Sequence, residues 1–182
     1  MILSLVDRRR VPTPPAEAAL WAPWVLLCRL AGELGPATWR VDVVLVDDAE
    51  MTGLNAGYRG AEGPTDVLSF SYLTEADPGT GAAGAGAGDR CARLDLWPDP
   101  LESGDGPDPL VGEVVLAPGF ITARCLEQGW APDQEMALLV VHGCLHILGW
   151  EHDDESDRAA MMVVETAVLC GCGLPHPLAK GA

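Results

Sequence analysis

The sequence predicts an α+β fold, a small mixed four-stranded β-sheet packed with about five helices around one central buried helix. Two patterns carry that expectation. Residues 132–148 are apolar nearly all the way round at helical length, which requires a helix enclosed by the rest of the protein. Residues 39–46 alternate, with Val41, Val43 and Leu45 on one face and Arg40 and Asp42 on the other, as a strand does. Three further strand-like runs are joined to it mostly through helical stretches, which gives a mixed sheet. At 182 residues and 48% apolar content the chain reads as a single domain over 1–182, large enough to bury a real core.

In order, Ile2 to Val6 is a short apolar run suited to an edge strand. Thr13-Pro14-Pro15 then reads as an N-cap with prolines in the first turn. Leu20, Trp24, Leu27, Ala31 and Leu34 repeat at helical spacing, with a kink at Pro23 and a stop at Gly35-Pro36. After the 39–46 strand, Asp47 and Glu50 have the spacing of a capping box. They open a helix whose buried face carries Met51, Leu54 and Tyr58 and which Gly60 ends. A strand follows from about Val67 to Tyr72. From about 75 to 109 the composition turns to Gly, Ala, Pro and Asp, a flexible insertion with only Leu94, Leu96 and Trp97 as an apolar cluster.

Val111 to Ala117 then reads as a strand, and Pro118 to Gln128 as a helix stopped by Gly129. The buried helix runs from Pro132 to Leu148. Asp154 caps a last helix whose Met161, Val164, Val168 and Leu169 face the core and which ends at Gly171 or Gly173.

The chemistry concentrates at the end of the buried helix, in His142-Gly143-Cys144-Leu145-His146-Ile147-Leu148-Gly149-Trp150-Glu151-His152. His142 and His146 stand one turn apart on the same helical face. Gly149 can take the left-handed conformation that ends a helix, turning the chain so that His152 approaches the other two. Three neutral imidazoles suit one divalent ion, zinc above all, at roughly 2.0–2.1 Å, and leave a fourth position open, as catalytic sites do. Cys144 points round the far side of the helix. The six cysteines contain no C-x-x-C pair and read as reduced and structural. His176, between two prolines near the C-terminus, reads as exposed and uninvolved.

Eleven basic against 27 acidic residues give a formal charge of −16, which argues against field-driven attraction to nucleic acid or anionic membrane, so any RNA contact must be local. No apolar run approaches the ~20 residues of a membrane span, and Arg8, Arg9 and Arg10 follow the apolar N-terminus in the order opposite to a signal peptide. The expected location is cytoplasmic, with no membrane partner.

The histidine spacing is similar to the metzincin protease signature H-E-x-x-H-x-x-G-x-x-H, except that Gly143 stands where the catalytic Glu belongs. Without that general base, peptide hydrolysis by the metzincin route is not expected. Glu151 or Asp153 could offer a carboxylate, equally as a group behind the ligands or in solvent. Other motifs carry a different resemblance. N-x-x-Y-R-G at 55–60, P-T-D-V-L-S-F at 64–70, G-E-V-V-L at 112–116 and H-G-x-L-H-x-x-G-x-x-H at 142–152 together resemble the YbeY family of bacterial metal-dependent endoribonucleases that mature ribosomal RNA.

That resemblance covers most of the chain outside the insertion, where the family has a shorter connection. It implies the same α+β architecture, with the histidines at one end of a cleft that the Arg59 turn also lines. It implies His142, His146 and His152 as metal ligands, and Arg59 and His142 as catalytic residues. Arg59 would grip the phosphate through its planar fork. Thr65 and Ser69 are candidate substrate hydroxyls with Ser71 beside them, although strand hydroxyls are commonly just neighbours of a polar edge. Ala61 departs from the family pattern, which often has a basic residue there. The implied partners are single-stranded precursor rRNA and the small ribosomal subunit or its assembly factors. Two rival functions are a metalloprotease-like hydrolase lacking its Glu and a noncatalytic metal-containing ribosome-assembly factor.

Overall fold

A computed structural model describes residues 1–10, 28, 29, 31, 32, 34, 37–73, 109–174 and 176. The expected insertion at 75–109 lies almost wholly outside these residues, as do Cys91 and most of the first expected helix. Within them the α+β expectation holds. Four strands, β1 (Ile2–Asp7), β2 (Arg40–Leu45), β3 (Val67–Ser71) and β4 (Leu110–Leu116), form one sheet in the order β1-β2-β4-β3. β1 is at an edge, as its short apolar run suggested. β1 pairs parallel with β2 and β2 with β4, while β3 runs antiparallel to β4 with Val67 opposite Leu116 and Ser71 opposite Gly112.

The helices are α1 (Asp48–Arg59), α2 (Pro118–Gln128), α3 (Pro132–Ile147) and α4 (Glu155–Gly171). The described residues thus hold four helices rather than about five. The remaining one was expected between Thr13 and Leu34, where only Cys28, Arg29, Ala31, Gly32 and Leu34 are described; these are helical, and Ala31 and Leu34 are buried. Local signals set the helix ends. Asp47 accepts a hydrogen bond from Glu50 N at 2.9 Å and Asp154 from Asp157 N at 2.8 Å, each satisfying an otherwise orphaned donor of a first turn. Gly60 and Gly129 take φ of 64° and 69° and stop α1 and α2.

The alternation along β2 and β4 divides the core. Val41, Val43, Leu45, Val114 and Leu116 face the main core with the apolar residues of α3 and α4, while Val44, Val46, Val115 and Ala117 face a smaller one with Leu68 and with Met51 of α1. α3 therefore lies on the sheet with α4 against it. From Glu135 to Ile147 every residue of α3 is buried except His142 and His146. A helix that is apolar nearly all round has been given one window, and both histidines occupy it.

Two glycines set the distance between α3 and the sheet. A Cβ on Gly143 would lie 2.7 Å from a methyl of Val114, and one on Gly112 of β4 would lie 2.8 Å from Cδ1 of Ile147. Each surface thus presents a side chain where the other has none. This contact explains why Gly143 cannot be the metzincin Glu: position 143 faces the sheet, not the histidine window. Gly143→Ala is expected to destabilise the protein by about 1–3 kcal/mol through overpacking, read as a shift of the denaturant midpoint at unchanged slope. An unchanged midpoint would show that the helix can lift without penalty.

Candidate metal centre

α3 presents His142 and His146 one turn apart, and the chain then ends the helix and turns. Leu148 N donates to Cys144 O, Trp150 N to Leu145 O, and Gly149 takes φ 83°, a conformation that a side chain would strain. The turn brings His152 back over the helix end. The ring centroids of His142 and His146 are 4.5 Å apart, those of His146 and His152 4.9 Å, and those of His142 and His152 5.4 Å. One nitrogen from each lies within 4.8 Å of the others, the only such group among the described residues.

The nitrogens are arranged as ligands are. Nε2 of His142 and Nε2 of His146 face each other at 3.1 Å. The opposite nitrogen of each ring has a carboxylate on its side. His142 Nδ1 lies 2.8 Å from Oε1 of Glu165, and a carboxylate there can only accept, so the proton belongs on Nδ1 and the Nε2 lone pair is left for the shared point. His146 has Glu151 Oε2 at 3.8 Å from its Nδ1. Burial, reinforced by His142 and His152, pushes the His146 imidazole down to about 4, so it is neutral near pH 7. Three imidazoles with the backing of a carboxylate suit a borderline ion such as zinc.

These side chains line a cleft of about 650 Å³ whose walls also include Arg59, Ser69, Asp66, Arg124, Trp130 and Glu135. Arg59 and the three histidines therefore face one cavity. Arg59 is exposed at the end of α1, and among the described residues no carboxylate pairs with it. Ser69 is on the wall. Thr65 is not a lining residue: its hydroxyl donates to Oδ1 of Asp66 at 3.0 Å. Ser71 is structural, donating to Ile147 O at 3.0 Å and so tying β3 to the end of α3. Cys144 is buried away from the cleft, where loss of solvent pushes its thiol up to about 12.

Several lining groups escaped the reading of the sequence. Arg124 of α2 bridges Asp66 before β3 and Glu135 of α3, with its guanidinium 5.8 Å from the centroid of Trp130. Burial alone would raise Asp66, but the Arg124 charge and the bonds from Val67 N, Arg124 and Thr65 hold its carboxyl below the usual range. Glu135 is more enclosed, and burial raises it despite Arg124. Glu165 was missed as well, although an acid four residues after Met161 sits in the core-facing register of α4 and is 6% exposed.

His176 corrects an expectation. Far from being exposed, it is 4% exposed, lines the cleft, and places Nε2 3.3 Å from Oε2 of Glu165. The flanking prolines suggested an exposed tail, but a buried carboxylate oxygen needs a donor, and His176 supplies it.

Comparison with known proteins follows the same lines. The sequence model of the family described as Endoribonuclease YbeY matches residues 13–173. A Rhodospirillum rubrum protein described as endoribonuclease YbeY is 34% identical over 171 residues, covering 91% of this chain and 74% of that protein. One of the same description from Magnetococcus marinus is 35% identical over 142 residues, covering 78% of this chain and 84% of its own. A solution structure of a Thermotoga maritima protein aligns at 18% identity and a TM-score of 0.47, covering 92% of this chain and 90% of that one.

Proposed function

Because this chain belongs to the endoribonuclease YbeY family, we propose that it is a metal-dependent endoribonuclease of single-stranded RNA that matures the 3′ end of small-subunit ribosomal RNA and serves in ribosome quality control. The observation that carries this reading is the meeting of three imidazoles and the Arg59 guanidinium in one cleft. His142, His146 and His152 would hold the ion, with zinc the best match to three imidazole nitrogens. When bound, such an ion lowers the pKa of water towards neutrality and polarises a phosphoryl oxygen.

The remaining work falls to the chain's own groups. Arg59 would fork onto a phosphate and hold it in line at the histidines, a role supported by its sharing their cleft. Glu165 keeps the proton of His142 on Nδ1. Leu138, Leu139 and Met161 give the cleft an apolar lining, in which a charge-assisted contact is stronger than in water. Single strands fit this arrangement, since an A-form duplex offers its backbone only along a stiff, wide rod. The acidic surface is compatible with such a local grip. The proposed location is cytoplasmic and the proposed partners are ribosomal; no helix among the described residues is long and apolar enough to cross a membrane.

The test is incubation of metal-free and zinc-loaded protein with an end-labelled fragment spanning the precursor 3′ end, alone or annealed to its complement. Internal cleavage of the single strand by the zinc-loaded form alone is expected. Binding to precursor subunits with no cleavage under any metal would replace this reading with that of a noncatalytic assembly factor. A protease reading gains nothing from the structure, because position 143 faces Val114 and not the cleft.

A further inference from the structure

We infer that His176 is a positioning residue for the metal site: it anchors the far oxygen of Glu165 and, through that carboxylate, holds His142 in its ligating orientation. This rests on the metal-binding reading above. The chain is arranged to deliver His176 there. At the end of α4, Leu174 N donates to Leu169 O at 2.9 Å and Gly173 N to Cys170 O at 2.9 Å, with Gly173 at φ 72°. This reversal turns Leu174 back towards the helix it has just left. His176 then reaches Glu165, eleven residues earlier, with a side chain only 1% exposed.

Glu165 needs two donors because it stands on the core-facing side of α4 with its side chain 8% exposed. A buried carboxylate is tolerated only when its oxygens are hydrogen-bonded. His142 Nδ1 serves Oε1 at 2.8 Å and His176 Nε2 serves Oε2 at 3.3 Å. Among the described residues no other donor reaches either oxygen. With both bonds in place the carboxylate plane is fixed, and so is the His142 ring that hangs from it. Without His176 the unserved oxygen must turn towards water. The carboxylate then rotates away from Nδ1, and His142 becomes free to flip or to move its proton to Nε2, where it blocks ligation.

The rest of the cleft reinforces the placement. Glu135 of α3 lines this cleft with His176 and Glu165 of α4, so the buried imidazole shares the cleft with acids of both helices. The tail thus closes a chain of contacts from Glu165 to the metal focus that neither α3 nor α4 completes by itself.

The experiment compares wild type, His176→Phe and His176→Gln in the full-length chain, well below their melting temperatures. Phe fills the space and keeps the tail apolar but has no donor, whereas the Gln amide can donate to Oε2. Zinc affinity is measured by competition with a chromophoric chelator, and the His142 tautomer of metal-free protein by nitrogen NMR. Expected are a roughly ten- to hundred-fold weaker zinc affinity in His176→Phe with mixed His142 tautomers, and recovery of most of both in His176→Gln. Equal zinc affinity and an unchanged Nδ1–H tautomer in His176→Phe would overturn the inference, as would a loss that Gln fails to recover. If wild type takes up no zinc, the metal-binding reading fails on its own account. The His142 tautomer in wild type and His176→Phe then decides whether the tail positions that ring.

Discussion

His146→Ala is expected to leave the purified protein folded but without stoichiometric metal. Structural zinc sites are worth about 10–16 kcal/mol spread over about four ligands, so losing one ligand costs on the order of 3 kcal/mol, or about a hundred-fold in affinity. Two imidazoles and solvent then compete poorly with any chelator in the buffer. The fold should tolerate the change, because His146 is half-buried in the window of α3, where Ala is also the better helix former. Elemental analysis and a melting curve read the two effects separately. One ion per chain in His146→Ala would place the metal elsewhere. RNA cleavage should vanish with the metal.

Arg59→Ala is expected to slow cleavage of single-stranded RNA by about ten- to a hundred-fold while metal content and melting temperature stay put, the loss of one charge-assisted phosphate contact on the order of 1.5–3 kcal/mol. Arg59 is exposed at the cleft wall and has no carboxylate partner among the described residues, so its removal orphans no buried charge. Arg124 cannot take its place, since Asp66 and Glu135 already occupy its fork. Lys at position 59 should recover only part of the rate, because a point charge does not reproduce bidentate geometry. Single-turnover rates at matched metal occupancy decide it. Equal rates for wild type, Arg59→Ala and Arg59→Lys would remove this residue from the mechanism.

The parts of the site that were legible in the sequence are those encoded by short spacing. His142 and His146 one turn apart, Gly149 before His152, and the caps Asp47 and Asp154 are all local patterns, and each is found where its spacing implied. Arg59 was reachable through its motif, and it shares the histidine cavity as expected. What stayed hidden are pairings between distant residues. Glu165 is 23 residues from His142, and Arg124 is 58 from Asp66, and no periodicity links such partners. The available signal was weaker: a lone acid in a buried register, as at Glu165 and at Glu135 within an otherwise apolar helix, implies a partner without naming it. His176 shows the reverse failure, for two prolines say nothing about what an imidazole between them will meet.

The reciprocal contact of Gly143 with Val114 and Gly112 with Ile147 also bears on motion. A helix that could slide or roll on its sheet would carry two of the three histidines with it and change the spacing to His152 at every step. Here either movement drives a side chain into backbone, so α3 and β4 act as one rigid floor. Among the described residues, a change in the width of the entrance is therefore left to the end of α1 with Arg59. The ligand cluster can keep its shape while the entrance changes width.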